Sequence, residues 1–280
     1  MQERKVGLFS IGSLEEKLSL ILTPLLQASD LEISIYQNYA YPRDITDELV
    51  HEIDRHLQRK KIGGVVFDLR IHGWKNSSCL KRSRILSRSL QKVCDDLRVS
   101  HSIILSNGDF FLGNALGFLA EKMEAQKVLE GKGPLDLNKF VLEVGGEILL
   151  MTKKARQRIA AKKILRDKII SGELSATRPN RLKKTLLTSL KEGFVHSLDL
   201  GKLNALRSLL CSVHPGIGFF LLKKIGDWIG KGDPIVKLYS PKGQKTPALQ
   251  AECQKIFVLR NTPLPHQPVI LEKMDLKIHE

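Results

Sequence analysis

Aromatic residues make up only 6% of the 280-residue sequence, and none falls in its most basic stretch. That scarcity excludes the base-stacking platform on which single-stranded nucleic acid is held. Cysteine is also scarce. Cys79, Cys94, Cys211 and Cys253 are scattered and show no C-x-x-C spacing, which excludes a disulfide scaffold or zinc ribbon and points to a reducing interior. The longest apolar stretch, Leu18 to Leu26, is broken by Ser19, Thr23 and Pro24 and is half of the roughly 20 residues a membrane span needs. The amino-terminal MQERKV is charged from its third residue and leads into no apolar core, so no signal peptide is expected and a cytoplasmic location is. The eight histidines form no H-x-H or H-x-x-x-H pair, and no Ser/His/Asp constellation is legible from spacing. His72 beside Gly73 and His214 before Pro215 read as loop residues.

What remains is ordinary globular composition, 42% hydrophobic and 27% charged, in one large domain or two modest ones. The formal net charge is +15. The excess concentrates in Lys153 to Arg158, Lys162, Lys163 and Arg166, and again from Arg178 to Lys184. Ile159, Ala160, Ile164, Leu165 and Ile169 recur between these charges at helical spacing, which predicts an amphipathic helix with a solvated basic face. Such a face attracts phosphate but supplies no sequence readout, so nucleic acid is not expected as the primary partner.

The first 130 residues alternate between two textures. Lys5–Phe9, Leu31–Tyr36, Gly63–Leu69 and His101–Leu105 read as strands, the last two apolar throughout as buried parallel strands are. Leu14–Ala28 (Ser13 as N-cap, Glu15 and Glu16 in the first turn), Asp44–Arg59, Leu80–Leu97 and Leu112–Leu129 read as helices. Ile45, Leu49, Ile53 and Leu57 form one stripe on the second. The alternation predicts an α/β layer. Helices follow over Asp136–Met151 and Lys154–Ile170, with Gly172 suited to a C′ position, and then a thin polar stretch, Ser175 to Asn180. After Lys191, Phe194–Leu200, Gly218–Leu222, Pro234–Tyr239 and Ala251–Leu259 read as short strands of an all-β module. Gly131 and Gly133 precede Pro134 at a helix start, and Gly226-Asp227 and Gly232-Asp233 read as hairpin turns.

Three stretches together resemble the thymidine and pyrimidine-nucleoside phosphorylase family, which includes AMP phosphorylases. Leu112-Gly113-Asn114-Ala115, Glu124-Ala125 and Leu129-Glu130-Gly131-Lys132-Gly133-Pro134-Leu135-Asp136-Leu137 are similar to the family's PLG, EA and LxGxGPxDL segment. Val144-Gly145-Gly146-Glu147 through Met151, with Ile170-Ser171-Gly172 downstream, follows at the family's spacing. Glu192-Gly193-Phe194-Val195, Gly216-Ile217-Gly218, Lys224-Ile225-Gly226-Asp227 and Lys231-Gly232-Asp233-Pro234 are similar to its carboxyl-terminal signatures. The resemblance implies a residual helical-domain segment over residues 1–60, an α/β phosphorylase-like domain over 61–175 and a β domain over 191–280.

The reaction it implies is phosphorolysis, in which inorganic phosphate as co-substrate attacks the sugar's anomeric carbon and the base of a nucleoside or nucleotide leaves. The family's KHSTGG-like phosphate loop has no counterpart in these 280 residues, and matching Val6-Gly7-Leu8-Phe9 to the family's middle makes the chain begin inside the usual one. Leu22 stands where the family's base-gripping arginine is expected, and Tyr36 to Arg43 lack its serine–lysine pair. Arg43 or Lys60-Lys61 are the candidate substitutes. The family's glycine-rich loop is matched in part by His72-Gly73-Trp74, where Trp74 reads as an exposed or packed loop aromatic, with stacking on a base as the alternative. The resemblance also implies part of a monovalent-cation site, from the carbonyls of Leu112 and Ala115 and the carboxylate of Glu124, although a plain helix-surface or capping acid is the preferred reading of Glu124. No other cofactor is implied. Catalysis by this chain alone is expected to be impaired, with a non-catalytic nucleotide- or polyanion-binding protein on the same scaffold as the alternative. Family members pair through their helical domain, so Leu18, Leu22 and Leu26 are expected to lack cover, and a homodimer or a complementing amino-terminal chain to follow.

Overall fold

A computed structural model describes residues 5–11, 17–27, 33–38, 47–109, 111–171, 183–213, 217–240, 247–265 and 267–279. The sequence expectations placed on Ser13, Glu15, Glu16, Arg43, Ile45, Gly172, Ser175–Asn180, Arg178 and His214–Gly216 lie outside the described residues.

The alternating texture of the first half folds as expected into β1 (Val6–Ile11), α1 (Lys17–Gln27), β2 (Ile33–Asn38), α2 (Asp47–Lys60), β3 (Gly64–Ile71), α3 (Ser77–Asp96) and β4 (Ser100–Asn107). The four strands are parallel in the order β4-β3-β1-β2. Both β3 and β4 are buried along their full length, because helices cover both faces. Alternation within each strand divides the two cores. Val65, Phe67, Leu69, Ile71, Ile103 and Leu105 pack with Leu49, Ile53 and Leu57 of α2 and Leu86 and Leu90 of α3. Val66 and Ile104 face the other way, into a core shared with α1.

That second core is completed by α4 (Phe118–Leu129), α5 (Leu135–Met151) and α6 (Arg158–Ser171). The expectation that Leu18, Leu22 and Leu26 would lack cover is corrected here: all three are fully buried, because α1 packs on α4, α5 and α6 of the same chain. The helix expected to begin at Leu112 begins at Phe118. Gly113 and Gly117 take φ of +67° and +91°, a conformation incompatible with helix, and between them lies the short strand β5 (Ala115–Leu116). On α6, Ala161, Leu165 and Ile169 form the buried stripe, whereas Ile159 is 82% exposed and Ala160 is exposed, because at 3.6 residues per turn position 159 lies about 200° from Ala161, on the opposite face.

The carboxyl-terminal part holds β6 (Lys183–Thr188), β7 (Gly193–Leu198), α7 (Leu200–Val213), β8 (Gly218–Leu221), β9 (Trp228–Ile229), β10 (Pro234–Ser240), α8 (Pro247–Gln254), β11 (Phe257–Arg260) and β12 (Ile270–Lys273). Two small antiparallel sheets form, β5-β8-β10-β6 and β11-β7-β9. The module is not all β. The stretch Ala251–Leu259 opens as helix, since Ala-Leu-Gln-Ala-Glu are strong helix formers, and α7 buries Leu203 and Leu206 in the same core as Cys253 and Ile256. The two Gly-Asp pairs do form turns, Asp227 Oδ2 accepting from Lys224 N at 2.7 Å and Asp233 Oδ2 from Gly230 N at 3.0 Å. They are not the hairpins expected: β9 pairs with β7 in one sheet, while β8 and β10 pair with each other in the other. The chain then returns to the first sheet, where β12 pairs antiparallel with β4. Among the described residues no helix is long and apolar enough to cross a membrane. Burial pushes the thiols of Cys94 and Cys253 up to about 12, so both are inert packing groups.

Candidate functional site

In an open parallel sheet, ligands sit outside the carboxyl ends of the strands, where loops converge and no helix returns across the edge. Here the carboxyl ends of β3 and β4 open into a cavity of about 620 Å³. One wall is His72, Gly73, Lys75 and Asn76 of the loop after β3, with Cys79, Arg82 and Ser83 of α3; the other is His196 to Gly201, where β7 turns into α7. Leu264 and Gln267 close a third side.

The loop geometry follows from local hydrogen bonding. Gly73 takes φ +63°, and its N–H donates to Asp109 Oδ1 at 2.8 Å. Asp109 N in turn donates to Asn107 Oδ1 at 3.0 Å. His72 lies beside this carboxylate, Nδ1 to Oδ1 3.8 Å. Asn76 caps α3 by accepting from Ser78 N at 3.0 Å. Asp199 does the same for α7, accepting from Lys202 N at 3.0 Å. That backbone bond, with the Lys202 ammonium, holds the Asp199 carboxyl below the usual carboxylate range; its oxygens serve the helix and are poorly suited to proton transfer.

Two helix amino termini therefore border one cavity, each a source of partial positive charge. Lys75 and Arg82 add full cations to the lining. His196 is held below the ordinary imidazole value by desolvation first and by the nearby charges of Arg260 and Lys75, so it is neutral at physiological pH. The carboxylates of Asp109 and Asp199 line the cavity too, so its formal charges balance. The two cations and two helix starts offer donors to a phosphate or hydroxyl group, and the carboxylates and the neutral imidazole offer acceptors to a sugar or base.

Of the residues singled out from sequence, His72 and Gly73 line this cavity, and Trp74 instead packs against the α2–α3 core. Lys60 and Lys61, considered as substitute base-binding cations, close α2 and lead into the amino end of β3, the opposite rim of the sheet. Leu22 is buried in the α1 core. Glu124 does meet the turn that carries Leu112 and Ala115. Its Oε1 accepts from Asn114 N at 2.7 Å and Ala115 N at 3.2 Å, and Oε2 from Ala115 N at 3.2 Å, so the carboxylate ties down the backbone of that turn. The basic face of α6 is partly neutralised: Arg158 pairs with Glu147 at 2.9 Å, and Lys162 with Glu143. Lys75, Arg82, Asp109 and His196 were not found by sequence reasoning; the Asn-Gly-Asp turn ending a buried strand was the available signal for Asp109, and the others become neighbours only through tertiary folding.

An α/β sheet with a polar cavity at its carboxyl edge is thus the class the geometry defines. The chain is similar to pyrimidine-nucleoside phosphorylases. It is 21% identical over 232 residues to that of Staphylococcus epidermidis (strain ATCC 12228 / FDA PCI 1200), covering 71% of this chain and 54% of the relative. It is 23% identical, with the same coverage, to those of Staphylococcus aureus strains USA300 and NCTC 8325. The chain spans about half the length of the curated relatives it matches. No protein-family model matches it. This distant likeness supports the resemblance carried by the glycine-bearing motifs.

Proposed function

We propose that this chain is a member of the thymidine and pyrimidine-nucleoside phosphorylase family, working inside the cell, whose cavity binds a nucleoside or nucleotide through its phosphate and sugar. The observation that carries this reading is positional. The motif resemblance puts the family's glycine-rich loop at His72-Gly73-Trp74, and that loop forms a wall of the cavity whose lining includes Lys75 and Arg82.

Phosphorolysis needs donors that fix inorganic phosphate and stabilise charge on the departing base, and deleting one such donor typically costs about 10²–10³ in rate. These 280 residues contain no KHSTGG-like loop. We therefore assign the isolated chain binding without appreciable turnover. Turnover would then require a second chain supplying that loop, or a homodimer arranged to complete the site. The partial monovalent-cation site at Leu112, Ala115 and Glu124 belongs to the same reading: a cation there would share a carboxylate already engaged by two backbone N–H groups. The second reading, a non-catalytic nucleotide- or polyanion-binding protein, is favoured by the lack of a KHSTGG-like loop in these 280 residues.

The test is a pair of measurements on the purified chain. Calorimetric titration with uridine, thymidine and their monophosphates is expected to show binding, tighter for the monophosphates. A phosphorolysis assay with the same compounds and inorganic phosphate is expected to show no release of base. Turnover near 1 s⁻¹, an ordinary enzyme rate, would overturn the assignment of impairment, and failure to bind any of the four would overturn the nucleotide site.

A further inference from the structure

We propose that Asp95, His101 and His279 form a site for one divalent late-transition-metal ion of the zinc type, which staples the carboxyl-terminal segment to the edge of the five-stranded sheet. The three residues come from three elements: the last turn of α3, the start of β4, and the segment after β12. Their ligand atoms all lie within 4.8 Å of one another, with Asp95 Oδ1 and His279 Nε2 3.0 Å apart. Zinc bonds of about 2.0–2.2 Å to nitrogen and oxygen place tetrahedral ligands some 3.3 Å from each other, so side-chain rotations of about an ångström complete the set.

The partners that orient these side chains are already in place. His101 Nδ1 lies 3.1 Å from the Val99 carbonyl oxygen. A carbonyl only accepts, so Nδ1 carries the hydrogen and Nε2 keeps its lone pair. This is how ligand histidines are oriented in metal sites. The backbone is held as well. His101 N donates to Lys277 O at 2.9 Å, Lys277 N to His101 O at 3.0 Å, and His279 N to Ser100 Oγ at 3.0 Å. His101 is almost wholly buried, and a fourth position is left for water. Two imidazoles and one carboxylate select zinc, cobalt, nickel or copper over magnesium and calcium, which want all-oxygen shells. The competitor is Lys277, whose ammonium lies 2.7 Å from Asp95 Oδ1; its side chain is 52% exposed and free to move into solvent when a metal arrives.

The site sits at the amino end of β4, while the cavity lies at its carboxyl end. Eight residues of strand at about 3.3 Å each separate the two, so the ion touches no ligand of the cavity. Its effect is on the segment between them. That segment lines the cavity with Leu264 and Gln267, is bonded to Asn107 through the Pro268 carbonyl at 3.2 Å, and runs along β4 to His279. A metal at its far end fixes it at both.

The test uses the full chain stripped of metal with a chelator, titrated with Zn²⁺ by calorimetry and with Co²⁺ by visible absorption. The wild type is expected to bind one equivalent of each. His279→Ala, near the carboxyl end, and Asp95→Asn are each expected to weaken binding by about tenfold or more, at least the loss caused by removing a group that only orients a ligand. Lys277→Ala, lacking the competing ammonium, is expected to bind more tightly. Hydrogen exchange of the amides of residues 269–279 is expected to slow on adding Zn²⁺ to the wild type and to be unchanged by it in His279→Ala. No stoichiometric binding to the wild type, or binding that His279→Ala and Asp95→Asn leave intact, overturns the proposal.

Discussion

Ser10 on β1 donates its hydroxyl hydrogen to Asp68 on β3 at 2.8 Å, across 58 residues of sequence and between directly paired positions of neighbouring strands. Asp68 also accepts from the Ser106 hydroxyl of β4 and from Arg70 Nε at 3.2 Å. The Arg70 guanidinium lies 5.1 Å from the ring centre of Phe140 on α5. Asp68 and Arg70 are both buried, so three strands and a helix meet on one ion pair.

Removing one partner of such a pair strands the other charge in low dielectric, at a cost of about 3–5 kcal/mol. Asp68→Ala is expected to lose that much stability in urea denaturation. Ser10→Ala, which removes one hydroxyl, is expected to lose about 1 kcal/mol. Equal losses in the two variants would show that the charge is compensated elsewhere.

A second cluster sets the acid limit of the fold. Glu147 on α5 accepts from Ser102 of β4 at 3.2 Å and is paired with Arg158 and Lys273; Glu143 is paired with Lys162 and Lys273. Burial alone would raise both carboxyls. The hydrogen bond from Arg158 and the charge of Lys273 outweigh it at Glu147, and the hydrogen bonds from Lys162 and Lys273 outweigh it at Glu143, holding both below the ordinary carboxylate range. The unfolded chain, with glutamates near 4.3, then takes up protons first as the pH falls. Stability from these groups is complete above the unfolded value and drains away as pH drops through the lowered folded values. Melting temperature followed from pH 6 to pH 3 is expected to fall below about pH 4.5, with a shallower fall in Glu147→Gln. Parallel acid limbs in the two proteins would exclude Glu147 from the effect.

The α/β layer was legible because its signals are local and strong. Gly64 to Leu69 is apolar on both faces, and a strand buried on both faces is what it becomes. The stripe Leu49, Ile53, Leu57 likewise predicts the buried face of α2. The cover over Leu18, Leu22 and Leu26 was not legible, because it comes from α4, α5 and α6, more than 90 residues further along, and no periodicity reports which helix a stripe will meet. The same holds for the cavity. His72 and Gly73 announce a loop after a strand, but His196 becomes their neighbour only through the docking of β7. The cluster of Asp95, His101 and His279 has no sequence spacing at all, since a strand returning antiparallel to β4 assembles it.

Glu124 gives a third prediction. Its carboxylate receives the N–H groups of Asn114 and Ala115 in a turn that carries β5 onto β8. Glu124→Ala leaves buried donors unmet, about 1–3 kcal/mol for each, and is expected to lower the melting temperature in potassium and in tetramethylammonium buffers alike. A wild-type melting temperature that rises with potassium, and a variant that does not respond, would establish the cation site beside the structural role.

The final prediction separates the cavity from the basic helix as the seat of anion binding. On α6, Arg158 and Lys162 are already engaged by Glu147 and Glu143, while residues such as Lys163 and Arg166 stand exposed on a convex helix, where solvent and salt screen each charge separately. Lys75 and Arg82 are exposed as well, but they line one concave cavity with two helix starts, where a phosphate ester would meet several donors at once. A hydrogen bond to a charged group contributes about 1.5–3 kcal/mol, so Lys75→Ala and Arg82→Ala are each expected to weaken uridine monophosphate binding by roughly tenfold or more at physiological ionic strength. The double variant Lys163→Ala/Arg166→Ala is expected to change it by less than about twofold. Circular dichroism on each variant verifies that folding is intact. If the α6 variant abolishes binding and the cavity variants retain it, the phosphate lies on the basic helix, and the nucleotide site proposed for the cavity falls.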